Sequence, residues 1–130
     1  MTQADLEAWL KADGWPVARL DDHTLRTGFK VEGTSHRLFV KVTEHWLVLT
    51  IVPFVTLSED DPRTLAIFRR LLELNRDLTL AKLAVDGRDV LLTVELTLEG
   101  LAWPHLKDGL DAITWAAGHH HAALAALVKR

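Results

Sequence analysis

The spacing of hydrophobic and polar residues predicts three helices and five strands along the chain. The first helix covers residues 3–13, where Leu6, Trp9 and Leu10 recur at helical spacing on one face. Thr2 precedes this segment and is a typical N-terminal cap, and Gly14 is a typical helix end. We therefore expect a short amphipathic helix that packs one apolar face onto the rest of the fold.

Three strands are predicted next. Residues 25–32 and 36–42 alternate between apolar and polar positions, which indicates half-buried strands. Residues 46–52 are apolar on both faces, which is typical of a central strand. We expect the turns between these strands at Gly33-Thr34 and Thr43-Glu44.

A second helix is predicted at residues 61–76, with Ser58 as its cap and Pro62 near its start. Its apolar residues cover about half of the circumference, more than the ~100° stripe that one contact needs. The surplus indicates a second contact, most simply with another copy of the chain. The predicted dimer interface consists of Ile67, Leu71, Leu74 and Trp115.

The last part of the chain predicts a hairpin and a long helix. Asp86-Gly87 is a strong two-residue turn signal between strands at residues 80–85 and 90–96. A long helix follows at 103–129, with Trp115 nearly opposite its apolar stripe. The predicted members of this stripe are Leu106, Leu110, Ile113, Ala117, Leu124 and Val128. The order α-β-β-β-α-β-β-α, with hairpin-length links, favours an α+β fold with an antiparallel sheet, in one domain over residues 1–130.

Two-residue turns determine which side chains share a face of the sheet, because a slip of two residues preserves the face. One face is predicted to be the core, formed by Leu25, Phe29, Leu38, Val40, Leu47, Leu49, Leu83, Val85, Leu92 and Val94. The other face is predicted to bind a partner through Arg26, Lys30, Arg37, Phe39, Lys41, Trp46 and Val48. Arg26 opposite Lys41, or Lys30 opposite Arg37, would be a like-charge pair that favours an acidic, partly apolar partner segment. A solvated face, with basic stems over apolar neighbours, explains the same pattern equally well.

Composition excludes several classes of function. The chain has no cysteine, so disulfides, thiolate catalysis and cysteine-ligated zinc are excluded. It has no apolar run long enough for a membrane span and no segment of signal-peptide type, and we expect a cytoplasmic protein. The net charge of −3 and the lack of a nucleic-acid motif make a nucleic-acid role the least favoured.

The histidine run His119–His121 is the most conspicuous chemical cluster. Consecutive residues of a helix lie about 100° apart, so three neighbouring imidazoles cannot close on one ion. Paired ligands at i, i+4 spacing are missing here. No nucleophile motif and no phosphate-binding glycine loop is present either. We therefore expect no catalytic activity, no cofactor and no metal.

Residues 71–101, LLELNRDLTLAKLAVDGRDVLLTVELTLEGL, resemble the YbjN family and, at the level of the fold, class I type III secretion chaperones of the CesT kind. The likeness is carried by Leu72, Leu74 and Asn75, by the hairpin at 80–96, and by the residues before the last helix, namely Glu95, Leu96, Glu99, Gly100 and Leu101. The resemblance implies a two-layer fold with a five-stranded antiparallel sheet in the order 1-2-3-5-4, usually in a dimer, and a protein-binding role without catalysis. The family usually opens its last helix with Thr-Pro, whereas this chain has Ala102-Trp103-Pro104.

These observations together predict a non-catalytic protein-binding module, YbjN-like or chaperone-like, that acts as a homodimer and docks a segment of a partner protein. The alternative is a regulator that responds to a small molecule or a metal through a pocket near the histidines. A nucleic-acid accessory role ranks third.

Overall fold

The computed structural model describes residues 1–129; Arg130, the last residue of the predicted domain and next to the predicted end of the last helix, lies outside the described residues. The elements are α1 (Gln3–Ala12), β1 (Ala18–Arg19), β2 (Thr24–Val31), β3 (Thr34–Val42), β4 (Trp46–Thr56), α2 (Thr64–Asp77), β5 (Lys82–Asp86), β6 (Asp89–Thr97) and α3 (Trp103–Val128). They form an α+β fold with one antiparallel sheet in the order β1-β2-β3-β4-β6-β5.

The sheet has one strand more than the five predicted. The extra strand is β1, whose Ala18 and Arg19 pair with Arg26 and Leu25 of β2. Two residues are too few to produce a readable alternation, so the sequence pattern did not indicate this strand. The five longer strands follow the implied order 1-2-3-5-4, as β2-β3-β4-β6-β5.

The core lies between one face of the sheet and the helices. Leu38, Leu47 and Leu49 of the sheet are fully buried, and so are Leu106 and Leu110 of α3. The predicted core face is confirmed with two changes. Phe29 is only partly buried, and Val85 is 41% exposed because β5 lies at the edge of the sheet.

The two glycines of α3, which are weak helix formers, allow the helix to approach the sheet closely. A Cβ atom on Gly109 would lie 3.1 Å from a methyl of Leu96 and 3.2 Å from a methyl of Leu49. A Cβ atom on Gly118 would lie 2.9 Å from a methyl of Val31. The helix continues unbroken through both positions, since tertiary packing outweighs their low helix propensity.

The start of α2 differs from the prediction. Ser58 does not cap it; the helix begins at Thr64, with Arg63 in the cap position. Asp60 has a φ of 52°, which lies outside the right-handed helical region. The buried carboxylate of Asp61 accepts hydrogen bonds from the Arg63 backbone N–H at 2.8 Å and from its guanidinium. These contacts form a turn where the sequence pattern predicted the first helical residues. The predicted cap of α1 is confirmed. Thr2 is the N-cap, and the side chains of Thr2 and Asp5 each accept a hydrogen bond from the backbone N–H of the other residue.

All three predicted hairpin turns differ from the prediction. Val31 pairs with Thr34, so Glu32 and Gly33 are the central residues of the first turn, both with positive φ. The β3–β4 link runs from Thr43 to the start of β4, where the Thr43 N–H donates to the Trp46 carbonyl. Both changes move the register by two residues, which preserves the predicted faces. In the β5–β6 hairpin, Asp86 pairs with Asp89, so the central residues are Gly87-Arg88 and not Asp86-Gly87.

Candidate functional site

The surface predicted to bind a partner is the face of the sheet that carries no helix, here called the open face. Its members come from three adjacent strands: Arg26, Lys30, Arg37, Phe39, Lys41, Trp46 and Val48. The four cations are exposed, Trp46 is 47% exposed, and Phe39 and Val48 are partly buried between them. The structure therefore brings all seven predicted residues together on one side of the sheet.

The register of the open face corrects one argument drawn from the sequence. Arg26 lies opposite Phe39, Lys30 opposite Ser35 and Arg37 opposite Gly28. Neither predicted like-charge pair forms, because the first turn is centred on Glu32-Gly33 and shifts β3 by two residues. The cations are instead interleaved with neutral and aromatic neighbours, so direct cross-strand repulsion does not argue for a partner.

A different electrostatic feature of the open face remains. Within residues 1–129, none of Arg26, Lys30, Arg37 and Lys41 has an acidic oxygen within 4.0 Å of its charged nitrogens. On the same face of edge strand β5, by contrast, Lys82 pairs with Glu95 at 3.5 Å. The β2–β3–β4 part of the face is thus a patch of unpaired positive charge in a chain whose net charge is −3.

The open face can also make apolar contacts, through the aliphatic stems of its basic residues and through its aromatic rings. Lysine and arginine stems cover apolar neighbours while their charged ends stay in water. Trp46 offers an indole with nearly half of its surface in solvent. An extended segment with acidic and apolar residues at alternate positions matches both properties of this surface.

The residues predicted for a dimer interface divide into two groups. Ile67, Leu71 and Leu74 are 1%, 4% and 6% exposed, because this face of α2 packs into the core. Ile67 and Leu74 offer almost no surface to a second chain, which corrects that part of the interface prediction, whereas Leu71 lines the hollow described next. The exposed apolar residues of α2 are Leu65 at 81% and Leu72 at 70%.

Beside Leu72, α2 and the edge strand β5 enclose an apolar hollow of about 360 Å³. Phe68 and Val85 line it together with Leu72, and Asn75 holds the two walls together. The Asn75 side chain donates to the Leu83 carbonyl at 2.9 Å and accepts from the Leu83 N–H at 2.7 Å. The outward surface of α2 is therefore formed by Leu72 and this hollow, and not by Ile67 and Leu74.

Trp115, the fourth predicted interface residue, is 54% exposed on α3, which confirms that it lies outside the core. It does not line the α2–β5 hollow. The His119 ring stacks on the indole with 4.0 Å between ring centroids, and His119 Nδ1 lies 2.9 Å from the Trp115 carbonyl oxygen. Trp115 therefore belongs to a separate part of the surface.

The three consecutive histidines point in two directions: His119 and His120 contact Trp115, and His121 contacts the sheet. His119 covers Trp115, and His120 lies edge-on to the same indole. Burial, then His119 and Arg70, lower the pKa of His120. His121 points to the sheet instead, with its ring centroid 4.9 Å from that of His36. Within residues 1–129, no group of three or more histidine or acidic side chains could hold one metal ion.

His36 is a polar residue in the core that the site predictions missed. It is 7% exposed, packed between Phe29, Phe54 and His121, and its Nε2 has no hydrogen-bond partner in the described part of the chain. Burial first, and then His121, lower the pKa of His36. The signal in the sequence was its position in the alternation of β3, on the same face as Leu38 and Val40.

No helix among the described residues is long and apolar enough to cross a membrane. A comparison with curated protein sequences finds no match. Solved structures are similar in fold. The ExoU–SpcU complex of the Pseudomonas aeruginosa type III secretion system matches at 20% identity with a TM-score of 0.65, covering 95% of this chain and 98% of the other.

Two further structures match at lower identity. YbjN from E. coli, described as a putative transcription regulator, matches at 11% identity with a TM-score of 0.66 and coverage of 95% and 93%. The Yersinia pestis type III secretion chaperone SycH, in complex with a fragment of YscM2, matches at 15% identity with a TM-score of 0.51 and coverage of 88% and 94%.

A family model described as "YbjN: Putative bacterial sensory transduction regulator" matches residues 2–112. This match extends beyond the 71–101 stretch that carries the resemblance and includes the first helix and all of the open face. The chain belongs to the YbjN family.

Proposed function

We propose that this protein is a non-catalytic binding module that docks an acidic, partly apolar segment of a partner protein on its open face. The observation that carries the proposal is the set of four cations, Arg26, Lys30, Arg37 and Lys41, which surround Phe39, Trp46 and Val48 and pair with no acid among residues 1–129. The structures of similar fold support it, because SpcU and SycH are described in complexes with the proteins ExoU and YscM2. The positive charge of the open face would attract an acidic segment and so increase its association rate. The aliphatic stems of the basic residues and the Trp46 indole would provide apolar contact.

The test uses a fluorescent peptide that alternates aspartate and leucine, with a serine–leucine peptide as its neutral counterpart. The Arg37→Glu/Lys41→Glu variant should bind the acidic peptide at least ~10-fold more weakly, since close charge pairs contribute more than ~1.4 kcal/mol. Added salt should weaken binding to the native protein more than to the variant. Titrations followed by fluorescence anisotropy measure both effects.

The matched control is Arg69→Glu/Lys129→Glu, which changes the net charge by the same four units at exposed residues away from the open face. It should bind the acidic peptide like the native protein. Equal weakening in both variants would mean that only net charge matters, and the open face would then be excluded as the site. If only the open-face variant is weakened, a pull-down from the native cells that compares the native protein with both variants would identify the partner.

The proposal includes a homodimer formed through the exposed apolar surface of α2 and β5. Leu72 and Val85 support it, since both line one hollow beside β5, which is an edge strand of the sheet in the described part of the chain. Leu65, seven residues before Leu72 on the same helix, is 81% exposed. Light scattering should give about twice the chain mass of 14.6 kDa. Leu72→Glu should give the mass of one chain. Leu20→Glu, in the link between β1 and β2 at a residue that is 48% exposed, should leave the dimer intact. A native protein that has the mass of one chain at every concentration would contradict the dimer.

A further inference from the structure

A second hollow, of about 520 Å³, lies on the helical side of the molecule between α3 and the loop that follows α2. Its walls are Asp77 at the end of α2, Thr79 and Leu80 from the loop, and Asp108, Ala112 and Trp115 from α3. The volume is in the range of pockets that bind small molecules. The sheet-face proposal does not use these residues.

Trp115 and Asp108 belong to one stripe on the outer side of α3. Asp108, Ala112, Trp115 and His119 follow one another at spacings of four, three and four residues, which places them on one helix face. Long side chains of a helix generally lean toward its N-terminus, which is the direction of Asp108 from Trp115, and both residues line this hollow. His119 stacks on the indole and lines the neighbouring hollow with Val31, not this one. Neither His119, stacked on the indole, nor His120, edge-on to it, lines this hollow, so the hollow is bordered by indole surface that the two histidines leave open.

Leu80 forms the opposite apolar wall, and its backbone is strained. It has a φ of 67°, and the Ala81 N–H donates to the Thr79 carbonyl at 2.7 Å across it, which makes a γ-turn of the rare positive-φ kind. Left-handed backbone is unfavourable for a leucine, and this side chain is also 45% exposed. Neither burial nor backbone preference explains a leucine here, whereas contact with a ligand would.

The charge of the hollow is negative. Among residues 1–129, no cation lies within 4.0 Å of the Asp108 carboxylate. The adjacent Lys107 is engaged with Asp13 at 3.3 Å and Asp111 at 3.4 Å, and Arg76 is paired with the second acidic wall residue, Asp77, at 3.1 Å. Asp108 is thus the acid of this hollow whose charge has no counterpart.

We infer that this hollow is a docking site for an arginine side chain of a partner protein. A guanidinium stacks on tryptophan and forms paired hydrogen bonds with a carboxylate, so Trp115 and Asp108 match its two recognition modes. The aliphatic stem of the arginine, or an apolar residue next to it, contacts Leu80 and Ala112. The molecule then has two binding surfaces of opposite charge, the basic open face of the sheet and this acidic, tryptophan-walled hollow among the helices.

The test is an NMR titration with acetyl-leucyl-arginine amide, which follows the indole N–H signals of the five tryptophans. The signal assigned to Trp115, by its loss in Trp115→Leu, should shift and saturate, while the Trp46 signal on the open face should stay in place. The same compound with citrulline, which keeps the shape of arginine without its charge, should shift the Trp115 signal at least ~10-fold less at equal concentration. No saturable shift at Trp115, an equal shift at Trp46, or an equal response to citrulline would overturn the inference.

Three variants separate the role of the hollow from effects on folding. Asp108→Asn should weaken binding at least ~5-fold, whereas Asp111→Asn, on the same helix and paired with Lys107, should not change it. Leu80→Gly should weaken binding while the melting temperature is equal to or higher than that of the native protein, because glycine accepts a positive φ. Equal effects of Asp108→Asn and Asp111→Asn, or native binding by Leu80→Gly, would contradict the site.

Discussion

The two faces of the sheet consist of alternate residues of the same strands, yet they are subject to different physical requirements. On the covered face, Leu47 and Leu49 are fully buried under α3, and a Cβ on Gly109 would approach Leu49 to 3.2 Å. On the open face, Trp46 is nearly half exposed and Val48 partly buried, with unpaired cations around them. Tight packing therefore restricts the size and shape of side chains on the covered face. Side chains on the open face have no such restriction from a helix and are available to bind a partner.

The largest effect is expected from removing methyl groups on the covered face. Leu49→Ala should lower the free energy of unfolding by about 3 kcal/mol, through lost burial and an unfilled cavity. Val48→Ala, one residue away on the open face, should cost about 1 kcal/mol or less. Urea unfolding of both variants measures the difference. Similar losses would mean that the open face is covered in solution, for instance by a second chain.

A smaller but clear effect is expected at Gly28, which shows that the open face also has one strict steric requirement. A Cβ there would lie 2.8 Å from the His36 carbonyl oxygen, which is a backbone atom and cannot rotate away. Gly28→Ala should therefore cost about 1–3 kcal/mol in the free energy of unfolding. Lys30→Ala, at an exposed position of the same strand, is the control and should stay within about 0.5 kcal/mol. A neutral Gly28→Ala would show that the two strands can separate slightly at this pair.

The covered face should also make stability depend on pH, through His36. Its pKa is lowered in the folded protein, so the unfolded chain binds the proton more tightly. Stability should be complete above the unfolded pKa of about 6.5 and should fall as the pH decreases below that value. His120, whose pKa is also lowered, contributes with the same sign.

Urea unfolding of the native protein, His36→Leu and His45→Gln at about pH 7.5 and 5.5 measures this effect. His36→Leu should lose less stability over this interval than the native protein. His45 is an exposed residue of the β3–β4 link, so His45→Gln should behave like the native protein. An equal loss in all three proteins would exclude His36 as the cause.

The smallest change in stability is expected from reversing charges on the open face. Arg37→Glu/Lys41→Glu removes no ion pair within the described residues, so its free energy of unfolding should stay within about 0.5 kcal/mol of the native value. The same variant is expected to lose peptide binding. Circular dichroism during thermal unfolding, beside the anisotropy titration, separates the two properties. A strong loss of stability would mean that these cations support the fold.

Much of the candidate site could be predicted because it depends on periodicity. Side chains of a strand alternate with a period of two, so the faces of β2, β3 and β4 were predicted correctly although both turns shifted by two residues. The stripe of α3 was predicted for the same kind of reason, and all of its predicted members are buried: Leu106, Leu110, Ile113, Ala117, Leu124 and Val128.

The parts that were not predicted depend on contacts between distant residues. Nothing local indicates which side of α2 faces the sheet, because apolar residues cover about half of that helix; only packing buries Ile67 and exposes Leu72. The proximity of His36 and His121, from a strand and from the end of a helix, likewise depends on how α3 crosses the sheet. The positive φ of Leu80 has no sequence signal, since leucine does not favour that conformation.

By itself, the sequence determined the three helices, the five longer strands and the faces of those strands, because local periodicity and hairpin-length links encode them. Only the tertiary structure decided the exact strand register, the surface that α2 leaves exposed and the hollow between Leu80 and Trp115. Each of these depends on side chains far apart in the sequence that must fit together at short distances. The open face depends on both the sequence and the tertiary structure. The period of two determines which residues lie on it, and the tertiary structure determines the register that places Phe39, and not Lys41, opposite Arg26.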